Sequence, residues 1–165
     1  MTEALPVHLA HETGRALVGR GWRLISTESC TGGLLAATMT EIAGSSDWFE
    51  GAFVTYRLTA KTAMVGVSVD LLDTHGAVSE PVARAMAEGA LHRSDADIAV
   101  SITGIAGPGG GDVVSPVGTV WFGWAQKERT IVRCVQTAEH HLTGSRQAVR
   151  LQAVTIALEG IRQLC

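Results

Sequence analysis

The apolar run Ile98–Ile102 leads directly into Thr103–Asp112, where five glycines stand between Gly104 and Gly111. A short continuous apolar run marks a strand buried on both faces. Glycines at its end let a backbone approach a ligand closely and turn several N–H groups one way. A mobile surface hairpin is the alternative, and the loop's place at the end of a buried strand argues against it. No Gly-Lys-Ser/Thr closes the loop, so it is not a Walker-type phosphate loop. It also opens no helix, as a dinucleotide-binding G-x-G-x-x-G would, because a strand pattern follows it.

Helix and strand patterns alternate around this element. Leu5, Leu9, Ala16 and Leu17 recur at helical spacing and Gly21 stops them, which predicts a helix near 4–20. Trp22–Ser26 reads as a strand, Glu28–Gly33 as a small-residue turn, and Leu34–Ile42 as a helix. Gly51–Tyr56 is a second strand and Thr59–Val65 a short helix. Ser68 and Ser79 read as N-caps, the second ahead of Val82, Ala85, Met86 and Ala90. Val117–Ala125 and Thr130–Thr137 form a hairpin turning near Lys127-Glu128. Thr143 or Ser145 caps a last helix bearing Val149, Ala153, Ala157 and Ile161. The expectation is an α/β fold: one domain over 1–165, a three-layer α/β/α sandwich with a mixed sheet, parallel early and antiparallel in the hairpin.

Composition narrows the function classes. Apolar residues are 46% and charged residues 18% of the 165, which excludes intrinsic disorder. A net charge of −3 with no Lys/Arg run leaves no footprint for a nucleic-acid backbone, so no nucleic-acid partner is expected. No apolar stretch approaches the roughly 18 residues of a membrane span, so no membrane partner is expected either. Met1–His11 carries no export pattern. Cys30, Cys134 and Cys165 are an odd set without CxxC spacing, read as reduced thiols in the cytoplasm. Four tryptophans in an apolar-rich domain suit a buried dimer interface.

The hydrolase patterns G-x-S-x-G, S-x-x-K and H-E-x-x-H are absent. His8 with His11, and His140 with His141, lack further ligands at zinc spacing, so neither metal nor cofactor is expected. The 28–33 turn puts a carboxylate, hydroxyls and a thiol at a helix start, where anions bind; an ordinary capped connection explains it equally well. Ser45, Ser46, Tyr56 and Lys61 form another group, in a chain whose lysines are Lys61 and Lys127 and whose one tyrosine is Tyr56. A serine needs a base to become a nucleophile, and a lysine serves only if burial lowers its pKa from about 10.4. From spacing alone, an exposed Lys61 with Tyr56 packed at a strand end is the simpler arrangement.

Several segments together carry a resemblance: Thr27-Glu-Ser-Cys-Thr-Gly-Gly33, Ala43-Gly-Ser-Ser46 with Trp48-Phe49, Val54-Thr-Tyr56 with Lys61, Gly76-Ala-Val-Ser79, Ser101-Ile-Thr-Gly-Ile-Ala-Gly-Pro108 and Pro116-Val-Gly-Thr-Val120. In register over nearly the whole chain, they resemble the CinA C-terminal domain family, and within it the stand-alone nicotinamide-nucleotide amidohydrolases. No counterpart of the additional N-terminal domain of full-length CinA is expected. The resemblance implies hydrolysis of the carboxamide of nicotinamide mononucleotide (NMN) to nicotinate mononucleotide and ammonia, in pyridine-nucleotide salvage, by a metal-free Ser–Lys arrangement. Carried over by position, it implies Ser46 as nucleophile, Lys61 as base and Tyr56 as assisting hydroxyl. It also implies Thr103 at the substrate loop and Arg146 as a basic residue near the last helix; the 28–33 turn (Glu28, Ser29, Thr31, Gly32) and the glycine loop (Gly104, Gly107, Gly110) are the other expected substrate contacts. Arg57 and Leu58 depart from the small polar residues common in relatives. Two other readings are a nucleotide-binding or interaction module without chemistry, and a thiol hydrolase built on Cys30.

Overall fold

The computed structural model describes residues 4–165; the first three residues of the Met1–His11 stretch, read above for export character, lie outside it. The chain runs α1 (Val7–Arg20), β1 (Leu24–Glu28), α2 (Leu34–Thr40), a 3₁₀ turn (Ser45–Asp47), β2 (Phe49–Val54), α3 (Leu58–Val65), α4 (Val69–His75), α5 (Glu80–His92), β3 (Ile98–Gly104), β4 (Thr119–Glu128), β5 (Ile131–His141) and α6 (Arg146–Leu164). The five strands form one sheet in the order β2-β1-β3-β4-β5. β1 is parallel to both β2 and β3, while β3–β4 and β4–β5 are antiparallel. This is the mixed three-layer sandwich that the sequence predicts.

Side-chain alternation along the buried strands divides the core. Leu24, Ile98, Val100, Ile102, Phe122 and Trp124 face α1, α2 and α6. Ile25, Ala99 and Ala125 face the layer of α3, α4 and α5. On that second face β3 and β4 carry small residues (Ala99, Ser101, Gly123, Ala125), and α5 sits close: the Ser101 hydroxyl donates to the Ala83 carbonyl at 2.6 Å.

The details shift by about two residues in several places. β1 runs on through Glu28 instead of ending at Ser26, because Thr27 and Glu28 pair with β2 and β3 on either side. The hairpin turns at Arg129-Thr130, beyond the predicted Lys127-Glu128, with Arg129 at φ +58°. Ser68 caps α4 through Leu71 N–H, and Ser145 caps α6 through Ala148 N–H. Ser79 occupies the cap position of α5, but its hydroxyl donates back to the Gly76 carbonyl.

One consequence of strand order decides where a ligand can go. β1 leads to β2 on one side of it, whereas β3, on its other side, leads away to β4. Adjacent parallel strands whose connections part in opposite directions leave a crevice at their carboxyl ends, the usual ligand site of open α/β sheets.

Candidate active site

Register carries three polar residues to that crevice. Glu28 pairs with Val54 on one side and Ile102 on the other, so Ser29, Thr55 and Thr103 follow at one level across the sheet. Thr55 N–H donates to the Glu28 carbonyl at 2.8 Å, and Ser29 N–H to the Ile102 carbonyl at 2.9 Å. Ser29 therefore stands one residue past the end of the central parallel strand, its side chain 8% exposed.

Lys61 arrives from α3. It lies four residues before Val65, and these two are the buried residues of that helix, so the amine occupies a position on its inward stripe. The side chain is 1% exposed. Its Nζ donates to the Thr55 carbonyl at 2.7 Å and meets Ser29 Oγ at 3.0 Å. Burial disfavours the ammonium form and lowers the Lys61 pKa to about 8. A serine hydroxyl thus touches an amine that is uncharged in an appreciable fraction of molecules at neutral pH.

A cavity of about 280 Å³ opens above this pair. Ser29, Cys30, Lys61 and Tyr56 border it on one side, and Thr103, Gly104, Ile105, Ala106, Gly107 and Gly110 on the other. Thr103 turns its hydroxyl to the Ala77 carbonyl at 2.8 Å. At Gly104 a Cβ would lie 2.7 Å from Val120 Cγ2 and 2.8 Å from the Thr119 carbonyl oxygen, so a side chain there would push the loop off β4. Gly107 holds φ +81°, a region that disfavours residues with a Cβ. Arg146, at the start of α6, closes the wall: its guanidinium donates to the Gly107 carbonyl at 2.7 Å and to the Tyr56 hydroxyl at 3.2 Å.

Eight of the twelve residues expected to act on or hold the substrate of the amidohydrolase converge on this cavity: Ser29, Tyr56, Lys61, Thr103, Gly104, Gly107, Gly110 and Arg146. The others do not. Ser46 is exposed in the 3₁₀ turn ahead of β2, whereas Lys61 lies beyond that strand's far end. Six residues of strand separate the two by about 20 Å, so Ser46 cannot pass a proton to this amine. The structure thus corrects the pairing of Ser46 with Lys61; the hydroxyl facing the amine is that of Ser29. Tyr56 borders the cavity, 59% exposed, and its hydroxyl accepts from Arg146.

Glu28, Thr31 and Gly32 are also displaced from the expected substrate contacts. Glu28 is fully buried, and its carboxylate accepts the N–H groups of Gly33, Leu35 and Ala36 at 2.9–3.1 Å, serving α2 as an internal cap. Thr31 is buried beneath the turn, and Gly32 is exposed on its outer side. Cys30 borders the cavity, but burial pushes its thiol up to about 11, which leaves little of the thiolate a cysteine hydrolase requires. Sequence reasoning assigned no role to Arg150, Ala106 or the Thr55 carbonyl. A main-chain acceptor has no residue-type signal. The Ser29 position had one: it is the first hydroxyl after a strand end, at a strand–turn–helix junction.

The fold and this crevice define an α/β protein with a serine–lysine pair at the carboxyl edge of its parallel strands. Residues 7–165 match the family model described as CinA C-terminal domain, and the chain belongs to that family. It is 50% identical over 159 residues to the nicotinamide-nucleotide amidohydrolase PncC of Enterobacter agglomerans, covering 96% of this chain and 94% of that one. It is 48% identical over 163 residues to the protein of the same name from Escherichia coli K12, covering 99% and 96%. A crystal structure of the competence/damage inducible protein CihA from Agrobacterium tumefaciens superposes with a TM-score of 0.88 at 40% identity, covering 98% of each chain.

Proposed function

We propose that this protein is a nicotinamide-nucleotide amidohydrolase that converts NMN to nicotinate mononucleotide and ammonia, with Ser29 as nucleophile and Lys61 as base. The observation that carries the mechanism is the 3.0 Å contact between a buried, pKa-lowered amine and a hydroxyl that borders the cavity. The substrate assignment rests on relatives of that name at about half identity over nearly the full length.

The chemistry follows from that contact. The neutral Lys61 amine takes the Ser29 hydroxyl proton as the oxygen attacks the carboxamide carbon. Collapse of the tetrahedral intermediate breaks the C–N bond, and the Lys61 ammonium gives its proton to the leaving nitrogen so that ammonia departs. Water attacks the resulting ester, Lys61 again takes a proton, and Ser29 recovers it as the carboxylate leaves. The negative oxygen of each intermediate needs N–H donors. Cys30 and Ala106 border the cavity, and no main-chain carbonyl among the described residues accepts from their N–H groups. Each such donor is worth roughly 3–4 kcal/mol in other hydrolases.

Arg146 suits the 5′-phosphate. A guanidinium binds phosphate through paired N–H groups, and this one stands at the N-terminus of a 19-residue helix whose dipole also favours an anion. The reading is tested by measuring ammonia release from NMN by the wild type and by Ser29→Ala. Turnover by the wild type and its loss in the variant are expected. An inactive wild type would end the substrate assignment, and an active Ser29→Ala would end the nucleophile assignment.

A further inference from the structure

The turn that carries Ser29 is held from three sides. β3 holds the Ser29 N–H. The Glu28 carboxylate holds the N–H groups that start α2. The third hold comes from α6, where Arg150 donates from Nε to the Cys30 carbonyl at 3.1 Å and from its terminal nitrogen to the Thr31 carbonyl at 2.8 Å. Arg150 is half-buried and does not border the cavity above Ser29.

We propose that Arg150 is a positioning residue for the nucleophile: by fixing the two carbonyls that follow Ser29, it sets where the Ser29 hydroxyl stands against the Lys61 amine. The proposal rests on the reading of Ser29 as nucleophile. A peptide's carbonyl and the next N–H point in opposite directions, so holding the carbonyls of Cys30 and Thr31 fixes the orientation of both peptide planes. The Thr31 hydroxyl is buried beside them with no hydrogen-bond partner.

Arg150 lies one helical turn after Arg146 on α6, so the cation facing the cavity and the clamp on the nucleophile turn ride on one rigid element. An arginine suits the position because its planar fork supplies two donors in fixed relation, whereas a lysine supplies a single point charge.

The test uses the full chain and the variants Arg150→Met, Arg150→Lys and Arg150→Ala. Three quantities are read: kcat and KM for ammonia release from NMN, the rate at which a small fluorophosphonate labels Ser29, and the thermal midpoint. A displacement of about 1 Å at a reacting atom costs roughly 100-fold in rate. In Arg150→Met, kcat and the labelling rate should therefore both fall by about that factor, with KM within about threefold. Arg150→Lys should recover part of the loss, and added guanidinium should raise the labelling rate of Arg150→Ala.

Labelling of Arg150→Met at the wild-type rate would overturn the proposal. So would a raised KM at unchanged kcat, which would make Arg150 a substrate contact. A loss that guanidinium does not restore, and that follows the thermal midpoint, would reduce Arg150 to a structural residue. If the wild type is labelled at Ser29 and slowed in Arg150→Met, yet releases no ammonia from NMN, the positioning role stands and the substrate assignment falls.

Discussion

The Lys61 amine and the Thr55 main-chain carbonyl are 2.7 Å apart, and this contact orients the base. A neutral amine has two protons and one lone pair. With one proton given to the Thr55 carbonyl, the lone pair can turn to the Ser29 hydroxyl at 3.0 Å. The carbonyl is a neutral acceptor, so it aims the amine without the charge stabilisation that a carboxylate would give the ammonium form. Burial can then bring the pKa down to about 8.

The pH dependence of catalysis follows from that value. The base must be unprotonated, so kcat/KM should rise about tenfold per pH unit below the Lys61 pKa and level off above about 8. Lys61→Arg should lose at least about a thousandfold, because a guanidinium stays protonated at any working pH. A pH-independent rate between 6 and 9 would contradict the role of Lys61.

Stability should carry the same signature. The folded-state pKa lies below the ordinary 10.5, so between about 8 and 10.5 the unfolded chain binds more protons and wild-type stability rises with pH. The gain approaches about 3 kcal/mol at the top of the range, and the whole penalty is present below pH 8. Lys61→Met removes this slope, while its lost contact with the Thr55 carbonyl costs roughly 1–3 kcal/mol at every pH. Denaturant midpoints of both proteins from pH 7 to 10.5 should therefore drift in favour of the wild type as pH rises.

The two serine assignments separate cleanly. Ser29→Ala should lower kcat by at least about a thousandfold. Ser46→Ala, exposed in a turn before β2, should stay within about twofold of the wild type, with stability changed by less than about 0.5 kcal/mol. Ammonia release from the paired variants reads both.

At the cavity mouth, Arg146→Ala should raise KM for NMN by roughly 10- to 100-fold, the value of a charge-assisted contact to phosphate. Its KM for the unphosphorylated riboside should change little. Tyr56→Phe removes the hydroxyl that Arg146 holds at 3.2 Å, and should act on KM by a few-fold. Steady-state kinetics on the two substrates distinguish loss of the phosphate grip from general damage.

Cys30 supplies a control. With its thiol pushed up to about 11 and the side chain buried, iodoacetamide at pH 7 should leave activity intact over a time in which an exposed thiol is consumed. Rapid inactivation, with modification mapped to Cys30, would revive the thiol reading.

Alternating patterns were enough to determine the layers, the strands and the mixed sheet, because burial on two faces or one is written in the spacing of apolar residues. The glycine loop after Ile102 and the small-residue turn after Glu28 also marked where a ligand could sit, since both follow strand ends. The pairing of base with nucleophile was a tertiary decision. Ser46 stands 15 positions from Lys61 and Ser29 stands 32, yet β2 carries Lys61 to the opposite end of the sheet from Ser46 and brings it beside Ser29. Strand direction and register set that outcome, through hydrogen bonds between β1 and both of its neighbours. The inward turn of Glu28 and the reach of Arg150 across to the Cys30 and Thr31 carbonyls were decided the same way. Main-chain N–H and C=O groups are the same at every residue but proline, so the acceptor or donor a side chain meets is fixed only when the chain has folded around it.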